Sequence, residues 1–246
     1  MVKSKKKYVV GIIVLILLIT VITIQFQKNE LDKPIQKTTF TRDVSIPDNI
    51  ILWDEKHPLT LDDFHGTIGG SNADDQAVAA QSNIGFWTPY FEVEVMINGI
   101  CQYKIKNYEA LAKFDKAKSW IRLEKVKQFN IDVEVLNHEQ RHFDIVEIYS
   151  RIVIKLINDE FRNKEFPCLD VDPTSLESSI IQDASKRILP LESIINDKYQ
   201  KSQEVYDQEA GDRKFFEQQK KWNTKIDECL DLDLNKINQC VDLYSR

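Results

Sequence analysis

Partway along this chain the spacing of its apolar residues changes, and that change leaves few folds open. Through FEVEVMINGICQYKIK, residues 91–106, apolar and polar residues alternate on both sides of Asn98-Gly99. A period of two marks a half-buried strand, and Asn-Gly between two such runs is the strongest local hairpin signal. An antiparallel ribbon is expected there, with Phe91, Val93 and Val95 on one face. Upstream, IILW from Ile50, then PLTLDDFHG, then the stretch from Ser71 to Trp87 also read as strand-like. From about Asn130 to Phe161 the spacing turns helical, with Val135, His142, Ile145, Val146, Tyr149, Ile152, Val153 and Leu156 on one stripe. Asn130 or Asp132 is placed to cap this helix and Phe166-Pro167 to close the segment. A second helical block, from about Ser175 to Lys225, is expected to break at Pro190. Strands first and helices after predict an α+β domain, a small antiparallel sheet packed on the long helix with further helices at the C-terminus.

The N-terminus departs from this pattern. Behind Lys3, Lys5, Lys6 and Lys7 lies YVVGIIVLILLITVITIQF, residues 8–26, with no charge in it. A helix of that length crosses the roughly 30 Å hydrocarbon layer of a bilayer. The expected plan is a cytoplasmic basic stub over 1–7, a transmembrane helix over 8–26, a polar tether over 27–48 and an extracytoplasmic domain over 49–246. A cleaved signal peptide is the alternative, but it calls for a shorter apolar run and small residues at the cut, which Thr20 to Gln27 do not provide. Both readings export the domain, and the first makes the membrane a partner through residues 8–26.

Cys101, Cys168, Cys229 and Cys240 suit an oxidising compartment and allow three pairings. Cys229 and Cys240 are close enough in the chain to staple a local loop, which would leave Cys101 and Cys168 to tie a strand to the segment after the long helix. None has CxxC spacing, which argues against a cysteine zinc site. The net charge of -6 and the absence of any nucleic-acid-binding motif leave no nucleic-acid partner expected.

Chemistry concentrates in LNHEQRHFDIVEIYSR, residues 136–151, which holds two of the four histidines. His138 and His142 stand one turn apart on the expected helix, so both imidazoles point the same way and can take two corners of one tetrahedral zinc. Glu139 projects further round the helix, close enough to act as general base without being a ligand. In such an HExxH arrangement zinc polarises a carbonyl and brings the pKa of its water to roughly 7. Two satisfied core histidines would leave the same trace, because the pair shares the apolar stripe. Asp144 and Glu147 lie off the ligand face, where they are placed to brace a histidine or a loop, or simply to be solvated. The third ligand is open among His57, His65 and a distant carboxylate.

HEQRHFDIVEIYSR resembles the HEQGHFDIAE-type motif of a bacterial family catalogued as domain of unknown function 922, whose members look like exported zincin-type metalloproteases. Three further stretches resemble that family in the same order. PLTLDDFHG at 58–66 is similar to its "LTWxDFxG", FDKAKSWI at 114–121 to its "FxPxxSWV", and YDQEAGDRKFFEQQKKW at 206–222 to its "YDxETxHGxxQxxQxxW". Together they span about Trp53 to Asp227. The resemblance implies a membrane-anchored zinc peptidase acting on peptide or protein outside the cytoplasm, with His138, His142 and a residue of the tail as ligands. The family's tail histidine aligns with Asp212, which would complete a His, His, Asp set or, alternatively, cap a helix after Gly211. Arg141 stands where the family has Gly and is placed to narrow the cleft or bind a substrate carboxylate. Tyr206 opens the tail and belongs to the groups expected to support the ligands or meet the substrate. A non-catalytic envelope module of the same fold, its zinc lost, is the competing function.

Overall fold

The computed structural model describes residues 36–68, 79–98, 100–169, 172, 174–211 and 216–245. It is α+β, built on one five-stranded antiparallel sheet whose strands follow the order β1 (Gln36–Asp43), β4 (Ile84–Asn98), β5 (Ile100–Asp115), β2 (Ile50–Leu52), with β7 (Phe166–Pro167) on the far end of β5. β3 (Ala80–Gln81) and β6 (Trp120–Ile121) form a separate two-stranded pair. The long β4–β5 ribbon is the expected hairpin, registered Ile97 to Cys101 and Val93 to Ile105, with Gly99 itself outside the described residues. Phe91, Val93 and Val95 are fully buried, as period two requires of one sheet face.

Helix α1 (Leu123–Phe129) ends on Asn130, whose left-handed backbone (φ 49°) stops it. Helix α2 (Asp132–Phe161) then lies across β4 and β5, burying Ile145, Ile148, Tyr149, Ile152 and Ile157. Helices α3 (Leu176–Ala210) and α4 (Phe216–Leu230) pack against α2, and 3-10 turns at Ile237–Cys240 and Leu243–Ser245 complete its cover. Disulfides join Cys101 to Cys168 and Cys229 to Cys240, as a compartment not kept reducing permits.

Several expectations are corrected. The transmembrane helix expected over 8–26 has no counterpart in the described fold, which opens with β1: among the described residues no helix is long and apolar enough to cross a membrane. Residues 1–7, 8–26 and the first part of the tether lie outside the described residues. The rest of the tether is largely strand, because Gln36–Asp43 pairs along β4 from Ile97 to Tyr90. An edge strand exposed everywhere except at half-buried Phe40 is held mainly by backbone pairing and suits β-branched residues such as Thr38, Thr39 and Thr41, so it shows no apolar alternation. PLTLDDFHG forms a 3-10 turn rather than a strand, because the Asp63 carboxylate accepts from Thr60 N and Thr60 Oγ1 and so caps it. Asn130 ends α1 instead of capping α2. Pro190 does not break α3, since it stands on an exposed face where water can satisfy the carbonyl it frees at Lys186.

A candidate metal centre between α2 and α3

His138 and His142 lie four positions apart on α2, and Gln203 and Asp207 four apart on α3, so each helix offers two side chains from one face. These faces meet. His142 Nε2 lies 3.1 Å from His138 Nε2 and 2.8 Å from Asp207 Oδ1, and His138 Nε2 lies 3.2 Å from the same oxygen. Two ligands held about 2.0–2.1 Å from one tetrahedral zinc stand about 3.3 Å apart, so the three atoms have close to the spacing of such a ligand set. The set is soft-to-borderline nitrogen plus one carboxylate, which suits zinc. The Asp207 side chain is 57% exposed and that of His138 21%, so solvent reaches the cluster. Three protein ligands with an accessible side distinguish a catalytic zinc site from a closed structural one.

The electrostatics favour a cation here. Burial on its own would push the His142 pKa down, but the Asp207 carboxylate and the charge of Glu139 outweigh it and raise it. Burial would raise the Asp207 pKa, yet hydrogen bonds from His138 and His142 hold it well below the usual carboxylate range. Tyr206 underlies the pair: its ring stacks on His138 and meets His142 edge-on, with both centroid distances 4.8 Å. Burial first of all drives its phenol pKa upward, and Gln219 Nε2 donates to the hydroxyl at 2.8 Å. Glu139 is buried, and Ser82 Oγ donates to its Oε2 at 2.5 Å from just beyond β3.

The other expected residues take different places. Asp144 is buried and accepts from Trp53 Nε1, Gln140 Nε2 and Arg141 Nη1, so it braces the Trp53 loop and touches neither imidazole. Glu147 accepts from Arg151 Nε at 2.8 Å, and burial raises its pKa against that pairing. Arg141 donates to Asp144 and Asp227, tying α2 to α4 at the edge of a cavity of about 490 Å³. His57 pairs with Asp54 and His65 with the carbonyl of Asp62, both away from the cluster. Asp212 lies outside the described residues. The distant carboxylate that reaches the imidazoles is Asp207, a little earlier in the same tail. The one sequence hint to it is its place in the opening Tyr-Asp pair of the tail, beside Tyr206.

The four motif stretches converge on this region. Leu59 N donates to Gln140 Oε1, His65 N to Lys116 O and Gly66 N to Ser119 O, while the tail supplies Tyr206 and Asp207. At Gly66 a Cβ would sit 2.7 Å from the Ser119 carbonyl oxygen, so the close approach of the first two stretches requires glycine. No family model, curated protein or solved structure matches the chain.

Proposed function

We propose that the protein is a zinc-dependent peptidase working outside the cytoplasm, with His138, His142 and Asp207 as ligands and Glu139 as general base. The observation that carries this reading is the convergence of His138 Nε2, His142 Nε2 and Asp207 Oδ1 at near-tetrahedral spacing beside a buried glutamate. Zinc held there would supply Lewis acidity toward a substrate carbonyl and toward water. Glu139 then accepts a proton from the attacking water and returns it to the leaving amine, moving between base and acid. Ser82 fixes the Glu139 carboxylate by donating to Oε2. Tyr206 keeps both imidazoles in their rotamers through ring contact. The two disulfides support an extracytoplasmic setting.

The motif resemblance supports peptide or protein as substrate. One observation favours a second reading, a non-catalytic envelope module: His142 and Asp207 at 2.8 Å also make a satisfactory ion pair without metal. Incubation of the full-length protein with an unstructured protein such as casein separates the two. The peptidase reading expects cleavage that stops with chelator and returns with added zinc. Absence of cleavage by zinc-loaded protein, or cleavage indifferent to chelator, counts against it.

A further inference from the structure

The carbonyl oxygen of His142 can only accept a hydrogen bond, and Gln203 Nε2 lies 2.9 Å from it. That contact fixes which way the Gln203 amide points. Its Oε1 therefore faces His142 Nδ1, with which it is hydrogen-bonded. An amide oxygen has no hydrogen to give, so Nδ1 must be the donor and carry the proton. The same glutamine thus grips residue 142 twice, once by its backbone and once by its ring. Gln203 is itself buried, 9% exposed, so water competes poorly for either contact. The ring's other nitrogen, Nε2, is the atom aimed at His138 and Asp207.

We propose that Gln203 is the positioning residue of this centre: it holds the His142 proton on Nδ1 and so presents Nε2 as the metal-binding atom. The proposal rests on the metal-centre reading given above. A neutral imidazole has two tautomers and only one leaves Nε2 its lone pair, so a buried acceptor at Nδ1 keeps a proton there when Nε2 gives up its own to the metal. Because α3 carries both Gln203 and Asp207, a single helix–helix contact delivers the third ligand and the group that prepares the second. Loss of such a partner typically weakens metal binding about 10–100-fold.

The test uses full-length protein labelled with 15N at its four histidines, observed with and without zinc, alongside Q203M, which keeps the length of the side chain but offers no amide oxygen. In wild type the His142 Nδ1 proton should be visible and protected from exchange in both states, with zinc on Nε2. Q203M should lose that protection and bind zinc about 10–100-fold more weakly, measured well below its melting point, where its metal-free form is still folded. Zinc on Nδ1, an unprotonated Nδ1 in wild type, or wild-type zinc affinity in Q203M would overturn the proposal while leaving the centre intact. The wild-type spectra decide the tautomer even if Q203M does not fold. A wild type that binds no zinc overturns the metal-centre reading itself, whatever the Nδ1 signal shows.

Discussion

Both nitrogens of the His142 imidazole are engaged, Nδ1 by Gln203 and Nε2 by Asp207, and this gives the metal-free and zinc-loaded proteins opposite responses to pH. Without metal, the folded-state pKa of His142 lies above its ordinary value of 6.5. Its contribution to stability is therefore complete below about pH 6.5 and lost as pH rises through the raised value. Zinc requires neutral imidazoles, so binding strengthens over the same interval. The rise in melting temperature on adding zinc should be larger at about pH 8 than at about pH 6. Thermal melts with zinc and with chelator at both pH values check this, and an increment that shrinks toward the higher pH would refute it. At the neighbouring position, Glu139→Gln should retain zinc near the wild-type level and lower kcat by about 10²–10⁴-fold, because the base is lost while the ligands remain. Metal analysis together with turnover on a peptide reads both effects, and full activity in the variant would remove Glu139 from the mechanism. His138, Glu139 and His142 were legible because one helix sets their relation. Asp207 and Gln203 were not singled out, because their approach depends on how α3 crosses α2, which local spacing does not encode.

Helix α2 shows how far a period can be trusted. Ile148 is fully buried and Val133 is 72% exposed, although both are β-branched residues of the same helix. Ile148→Ala should cost about 2–5 kcal/mol and leave a cavity in the core, whereas Val133→Ala should stay within about 0.5 kcal/mol. Denaturant unfolding of the two variants measures the contrast, and similar losses would mean that α2 is not seated on the sheet as described. The hairpin and α2 were readable because each buries one face and so leaves a periodic trace. Edge strand β1 leaves none, since backbone pairing to β4 holds it. α3 runs through Pro190 because a helix so long, buried along Ile180, Ala184, Ile188 and Ile195, tolerates one missing hydrogen bond on its wet side.

Across the molecule, two covalent ties join what the chain separates. The Cys101–Cys168 bridge spans 67 residues and fastens β5 to the segment after α2, while Cys229–Cys240 spans 11 and fastens α4 to the 3-10 turn at Ile237–Cys240. Loop-closure entropy assigns about 4 kcal/mol to the first and about 3 kcal/mol to the second. The double variant C101S/C168S should therefore unfold at lower denaturant than C229S/C240S, and the reverse order would contradict that entropic ranking. The Cys229–Cys240 staple was suggested by proximity alone, whereas the longer bridge needed the fold to bring its ends together. The same long-range assembly gathers the four motif stretches around His138 and His142 and supplies a carboxylate from the tail. Zinc bound per full-length chain, measured by elemental analysis after equilibration with a weak chelator, tests the centre most directly. The expected result is about one zinc in wild type and none in Asp207→Ala. A wild type without zinc, or an Asp207→Ala protein that holds it as tightly as wild type, would contradict the assignment.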